Sequence, residues 1–276
     1  MGRIEVKPNF MMHYEEFGSR RNPSVVLIRG TGADSSRWMP QVNAYKDEFH
    51  VVIFDNRGTG KSDTTKGPYT VGQMADDTLC LLDTLDIETC HLSGSSLGGA
   101  IALHLAIHNT NRVGSLQMHS SWLATRGYTE FSLNLLKKFL KLGGIDFYYE
   151  ATLPLLFSPQ FLAEDFDRLK SLLAHMRANA ASPEGLMAQI DANLTYDLSE
   201  RAKNVKIPTL VTVGEADYLL PVTASQEIVK EIQGASLVVF NGGPHLVTME
   251  SSKEFNEVTL KWMRENCVNV PRSINA

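Results

Sequence analysis

Short apolar runs rich in β-branched residues punctuate the chain at 24–29 (SVVLIR) and 50–55 (HVVIFD), with similar runs at 89–93, 113–118, 209–213 and 236–240. Runs of this length without polar alternation are the pattern of strands covered on both faces. A further strand is predicted over 11–17, followed by a turn from Gly18 to Pro23. Between the strands the period changes. Val71, Met74, Ala75, Thr78, Leu81 and Leu82 recur at helical spacing and predict a helix over 70–85, and 100–108 predicts a second, buried helix. Strands alternating with helices predict the α/β class, with a mostly parallel central sheet flanked by helices.

The rhythm breaks between 122 and 205. No buried strand is evident there. Helices are predicted around 128–142, 160–179 and 183–192, and the segment is dense in large apolar side chains such as Phe131, Leu133, Leu136, Phe139, Tyr148, Tyr149 and Leu156. Ligands in open α/β sheets bind beyond the carboxyl ends of the strands, and long insertions there are usually functional. Residues 122–205 are therefore expected to form a helical cap over a core made from 1–121 and 206–276.

Composition narrows the setting. Hydrophobic residues make up 43% and charged residues 21%, and the formal net charge is −5, the range of a globular chain with a substantial core. No basic run suits a nucleic acid, and no apolar run reaches the roughly 18 residues that span a bilayer. The three cysteines, Cys80, Cys90 and Cys267, lack metal-ligand spacing, and the polar start MGRIEVKPNF is unlike a signal peptide. The expectation is a reduced, cytoplasmic setting and a small-molecule partner. Nucleic acid, membrane, metal and organic cofactor are not expected, and a homodimer is left open.

Candidate chemistry gathers in loops after the predicted strands. Gly94-Ser95-Ser96-Leu97-Gly98 satisfies G-x-S-x-G with a strand before it and a helix after it, the context that gives the pattern meaning. So sharp a turn holds its central residue at a strained backbone angle with the side chain thrust outward. Gly94 and Gly98 let strand and helix approach. Ser96 is the candidate nucleophile, with Ser95 its rival at a position the turn does not present. The N–H of Leu97 heads the helix and points toward an incoming carbonyl oxygen, with the helix dipole behind it. Glu215 and Asp217 follow another strand; Asp217 is favoured as the acid that accepts an imidazole N–H and fixes its tautomer. Among eight histidines, His245 differs in following Gly242-Gly243-Pro244 on a loop after the last strand, a place for a base. Arg29-Gly30-Thr31-Gly32 lacks the Lys-Ser/Thr ending of a phosphate loop, and Ser35 stands where G-x-G-x-x-G needs its third glycine.

With these loops, the stretch Asp55-Asn56-Arg57-Gly58-Thr59-Gly60-Lys61-Ser62, and the chain order Ser96, Asp217, His245, the sequence resembles the α/β-hydrolases over nearly its whole length. Its general look is similar to enol-lactonases and small-molecule esterases with a four-helix cap. The resemblance implies the α/β-hydrolase fold, a structural use for the Asp-x-Arg-Gly stretch, and a second oxyanion donor from the Gly-rich loop, for which Thr31 stands beside Leu97. One departure is plain: Arg29 occupies a position where the family usually has His.

The implied reaction is two-step acyl transfer on an ester or lactone of a small, partly apolar molecule. Ser96 would attack, His245 would act as base and Asp217 would orient it. Trp38, Trp122 and Tyr218 are the expected pocket walls. Amide, thioester or carbon–carbon bond hydrolysis by the same three residues is the alternative, as is a non-enzymatic ligand-binding protein on this scaffold. Epoxide hydrolase and dehalogenase chemistry would need an Asp at 96. Leu97 stands where cofactor-free perhydrolases tend to carry Met.

Overall fold

A computed structural model describes residues 2–164 and 166–267 of the chain. The strands are β1 (Gly2–Lys7), β2 (Phe10–Phe17), β3 (Ser24–Ile28), β4 (His50–Phe54), β5 (Cys90–Ser95), β6 (Val113–His119), β7 (Thr209–Gly214) and β8 (Ser236–Phe240). They form one sheet in the order β1-β2-β4-β3-β5-β6-β7-β8. From β4 to β8 the neighbours are parallel; β2 pairs antiparallel with β4, and β1 antiparallel with β2. Every residue of β3 to β7 is buried, which is why these strands are unbroken apolar runs in the sequence. β8 is an edge strand that exposes Ser236 and Val239; its apolar run alone does not separate edge from centre. β1 falls outside the predicted set, because its burial alternates and its residues are largely polar.

The two faces of the sheet carry separate cores. Val26, Ile28, Val52 and Phe54 point to one side, where α2 (Val71–Thr84) and α3 (Leu97–His108) pack. Val25, Leu27, Val51 and Ile53 point to the other, against Trp38, α1 (Met39–Tyr45) and the final helix. This is the period-two alternation of strand side chains, with both faces covered. α2 starts where the Thr70 hydroxyl accepts the N–H of Gln73 at 3.0 Å, an N-cap that matches the predicted start.

Between β6 and β7 the chain leaves the sheet for α4 (Tyr128–Leu156), α5 (Pro159–Glu164), α6 (Phe166–Ala178) and α7 (Pro183–Leu194), and returns through α8 (Ser199–Ala202). The predicted helix over 128–142 is the first part of α4. At Gly144 the backbone leaves helical geometry (φ 70, ψ −165), and helix resumes to Leu156 with Tyr148, Tyr149, Thr152 and Leu153 buried. The segment predicted over 160–179 is two helices, α5 and α6. α7 is capped by the Ser182 hydroxyl, which accepts the Gly185 N–H at 2.9 Å. A bridge between Ala124 and Asp197 ties the base of the insertion.

After β7 come α9 (Val222–Glu231), then β8, α10 (Val247–Glu250) and α11 (Ser252–Glu265). Among the described residues no helix is long and apolar enough to cross a membrane.

Candidate active site

The turn from β5 into α3 has the strain its motif predicts. Ser96 sits at φ 54, ψ −120, a region that costs a non-glycine residue about 1–3 kcal/mol and is kept only where the surroundings enforce it. They do so here: the Ser96 N–H donates to the His119 carbonyl at 2.9 Å, and the Ser121 hydroxyl donates to the Ser96 carbonyl at 3.0 Å. A β-carbon at Gly94 would stand 2.1 Å from the Gly98 oxygen, and one at Gly98 would stand 2.0 Å from the Ile28 oxygen. Only glycine allows that approach. Ser95, the rival hydroxyl, is the last residue of β5 and lacks the strained turn. Leu97 opens α3, so its N–H has no acceptor within the helix.

Two loops at the same sheet edge meet across β7 and β8. Nδ1 of His245 and Oδ2 of Asp217 are 2.8 Å apart, with both residues buried. The other carboxylate oxygen of Asp217 accepts the N–H groups of Leu219 at 3.0 Å and Leu220 at 2.8 Å, so its orientation is set by backbone. A carboxylate only accepts, so Nδ1 carries a proton here, which in the neutral ring leaves the lone pair on Nε2. Glu215, the alternative acid, is exposed and accepts the Gly242 N–H at 2.9 Å. The His245 loop is in turn held by the Ser120 hydroxyl on the His245 carbonyl and by the Leu246 N–H on the Leu156 carbonyl of α4.

The Gly-rich loop after β3 lies directly beside the nucleophile turn: a β-carbon at Gly30 would be 2.9 Å from that of Ser96. The inserted helix α7 grips this loop. The Gly32 N–H donates to Gln189 Oε1 at 2.8 Å, Gln189 Nε2 donates to the Arg57 carbonyl at 2.8 Å, and Asn193 Nδ2 donates to the Thr31 hydroxyl at 2.7 Å. Sequence reasoning missed Gln189 and Asn193. The signal was there: two amides four residues apart share a helix face, and that face is otherwise apolar with Leu186 and Ile190.

Ser96, His245 and Thr31 border one cavity of about 60 Å³, together with Arg29, Arg37, Tyr148, Tyr149, Thr152 and a wall of Leu133, Leu136, Leu156, Met176, Leu219, Leu220 and Leu246. The expected walls Trp38, Trp122 and Tyr218 do not border it. Trp38 is buried on the far side of Arg29, whose guanidinium carbon stands 4.6 Å over its ring. Trp122 supports the base of the insertion, giving its indole N–H to the Thr125 hydroxyl and its ring edge to Tyr196. Tyr218 is exposed, and its carbonyl accepts the Tyr128 hydroxyl. Aromatic bulk drew attention to these positions, but aromatics fill cores and brace surfaces as readily as they line pockets.

The profile of the alpha/beta hydrolase fold matches residues 23–252, most of the chain. The chain belongs to the α/β hydrolase fold family. It is 30% identical over 262 residues, 94% of this chain and 99% of the relative, to a putative carbamate hydrolase RutD of Stutzerimonas stutzeri strain A1501. Among solved structures it is similar to the enol-lactonase from Burkholderia xenovorans LB400, with a TM-score of 0.87, 28% identity, and 95% and 100% of the two chains covered. It is also similar to a hydrolase from Pseudomonas aeruginosa PA01, with a TM-score of 0.86, 25% identity, and 95% and 97% covered.

In this α/β hydrolase the Asp-x-Arg-Gly stretch braces the loops behind the cavity. Asp55 accepts the N–H of Ser35 at 2.7 Å and of Lys61 at 2.8 Å. Arg57 meets Asp77 with two bonds, Nε at 2.6 Å and Nη2 at 2.7 Å. Burial still pushes the Asp77 carboxyl up, because desolvation outweighs the Arg57 charge. His119 and His91 lie within the sheet, and burial lowers them to about 3 and about 4.

Proposed function

We propose that this α/β hydrolase is a serine hydrolase that cleaves an ester or lactone of a small, partly apolar molecule through an acyl-enzyme. The observation that carries the reading is that Ser96, at the tip of a strained turn, and His245, bound to Asp217 at 2.8 Å, border the same cavity. In the first step Nε2 of His245 takes the Ser96 proton as the hydroxyl oxygen attacks the carbonyl carbon. The N–H groups of Leu97 and Thr31 receive the oxyanion, each worth about 3 kcal/mol in reactions of this kind. The imidazolium, stabilised by Asp217, then gives its proton to the leaving oxygen. Water then enters, its oxygen attacks the acyl carbon as His245 takes its proton, and His245 returns that proton to the Ser96 oxygen as the acid leaves.

The inserted helices act as a cap in this reading, with α4 and α6 supplying the leucine and methionine wall and α7 holding the Thr31 loop. The cavity is small and mostly apolar, which favours a short acyl or ring substrate. The name of the Stutzerimonas relative supports a second bond type: a carbamate reaches the same acyl-enzyme chemistry with an amine or alcohol leaving.

A fluorophosphonate probe tests the nucleophile. Wild type is expected to be labelled and Ser96→Ala not, with turnover of p-nitrophenyl esters in that variant down by at least ~10³-fold and its melting temperature unchanged. Labelling that persists in Ser96→Ala removes residue 96 from the mechanism.

A further inference from the structure

The first half of α4 packs one side into the molecule and leaves the other bare. Thr129, Ser132, Leu133, Leu136 and Leu140 are buried, and Leu133 and Leu136 reach the cavity. On the outer side Tyr128, Phe131, Leu135 and Leu142 follow one another at steps of three, four and seven residues, with Lys138 in the gap. That is the a/d spacing of a helix seam that pairs with a second helix. Burial in the chain's own core does not account for the row: Tyr128 is 53%, Phe131 69% and Leu142 81% exposed, and Leu135 is half-buried. Past the kink Phe147, 43% exposed, meets Phe139 edge-on at 5.9 Å and lengthens the strip. Exposed apolar side chains scattered singly are ordinary, whereas a continuous row marks an interaction site.

The charges beside the row say what covers it. Glu130 and Lys141 are both exposed and flank Phe131 and Leu142 on the same side. The pairs Glu130-Phe131 and Lys141-Leu142 stand eleven residues apart, three turns of helix, which puts them on one face about 16 Å from each other. A second copy laid antiparallel on this face places Phe131 on Leu142 of that copy and Glu130 beside its Lys141, and a two-fold axis repeats both contacts. In the same register Lys138 lays its stem along Leu135 of the other copy. Its ammonium group then meets Asn134 of that copy, whose Nδ2 donates to the Glu130 carbonyl and whose oxygen is left to accept. Lys137, turned away from the row, is already paired with Asp191. A lipid surface would call for bases all along the strip; here an acid stands at one end and a base at the other.

We propose that the outer face of α4 is a self-association surface, on which two copies of the chain join as an antiparallel, two-fold dimer. The contact lies on the back of a helix that lines the cavity and leaves Ser96 and His245 untouched. It is independent of the reaction assigned to them.

Sedimentation velocity of the full chain over a range of concentrations reads the association, with circular dichroism as the check on folding. Wild type is expected to dimerise, and Leu142→Glu, at an exposed position, to sediment as a folded monomer. Charge reversal tests the register. Glu130→Lys and Lys141→Glu singly set like charges opposite each other twice per dimer and are expected to weaken it by roughly tenfold, while the double variant restores it to within about twofold. Phe131→Cys combined with Leu142→Cys should give a disulfide-linked dimer under mild oxidation, and neither alone should, since each position lies far from its own counterpart across the axis.

A wild type that stays monomeric at its highest soluble concentration overturns the proposal. So does a dimer that the single reversals leave unchanged or that the double reversal does not restore. Binding of monomeric wild type to phosphatidylglycerol vesicles, lost in Leu142→Glu, would assign the face to a membrane and overturn it as well.

Discussion

Arg57 gives Nε and Nη2 to Asp77 and Nη1 to the Thr65 hydroxyl, and its guanidinium carbon stands 4.7 Å over Phe10 and 5.3 Å over Tyr69. Arg29, equally buried, has one hydroxyl and one ring. Both residues follow a parallel strand and both help position loops around the cavity. They differ in where their charge is answered. The Arg57 charge is cancelled within the protein and its site is complete as folded. The Arg29 charge has no carboxylate bonded to it among the described residues, and the Arg37 beside it is paired with Asp34. A buried arginine answered by a carboxylate depends on that partner for stability, and one answered by a ring and a hydroxyl does not.

Removing a partner from each site should separate the two most sharply. Asp77→Ala leaves Arg57 buried and uncompensated, and is expected to cost about 3–5 kcal/mol of stability. Arg29→Met removes a charge that has no internal partner, and is expected to leave stability unchanged or raised. Urea denaturation of both variants measures this. A loss in Arg29→Met as large as that in Asp77→Ala would erase the distinction.

A smaller effect is expected at Gln189, which links the two regions by accepting from Gly32 and donating to the Arg57 carbonyl. Gln189→Leu strands two buried backbone groups, at about 1–3 kcal/mol each, and loosens the loop that carries Thr31. Steady-state kinetics with p-nitrophenyl esters should show kcat falling by roughly tenfold. An intact kcat would detach Gln189 from the placement of Thr31.

The smallest effect is the dependence on pH. Burial, followed by the like charge of Arg37, lowers Arg29 to about 9, with Asp34 acting in the opposite sense. A cation whose value is lowered is charged below that pH and neutral above it. The charged neighbours of Arg29 are Arg37 and Asp34, and His119 beside it is kept neutral by burial. The unfolded chain binds the extra proton more readily above pH 9, so Arg29 contributes rising stability, not falling, through that window. Urea denaturation of wild type and Arg29→Met across it should show the wild type gaining on the variant, and a constant difference would contradict the lowered value.

Much of the architecture was legible because it is local. β-branched runs, the helical period from Val71 to Leu82 and the G-x-S-x-G turn each express steric rules that act over a few residues. The helix predicted over 128–142 stops short of the structure, which continues it past Gly143-Gly144. A pair of glycines reads as a helix end, yet the packing of Tyr148, Tyr149 and Leu153 restarts the helix beyond the kink. The edge position of β8 and the polar strand β1 were hidden because pairing partners, not composition, make an edge or admit a polar strand.

For the candidate site, the loops holding Ser96, Asp217 and His245 could be found from the chain alone, since each follows a strand and bears glycine, proline or both. Asp217 is already favoured over Glu215 on the chain alone, and the coordinates place Asp217 against the imidazole while Glu215 meets the Gly242 N–H. The walls differ: Trp38, Trp122 and Tyr218 have the right chemistry and the wrong place. The sequence by itself determined the class of fold and singled out three loops as candidates, for those follow from backbone sterics and short-range pattern. Tertiary structure alone decided that α7 grips the Thr31 loop and that two buried arginines, each with a nitrogen lacking a partner, sit beside the cavity. A missing partner is visible only once every neighbour has been brought into place.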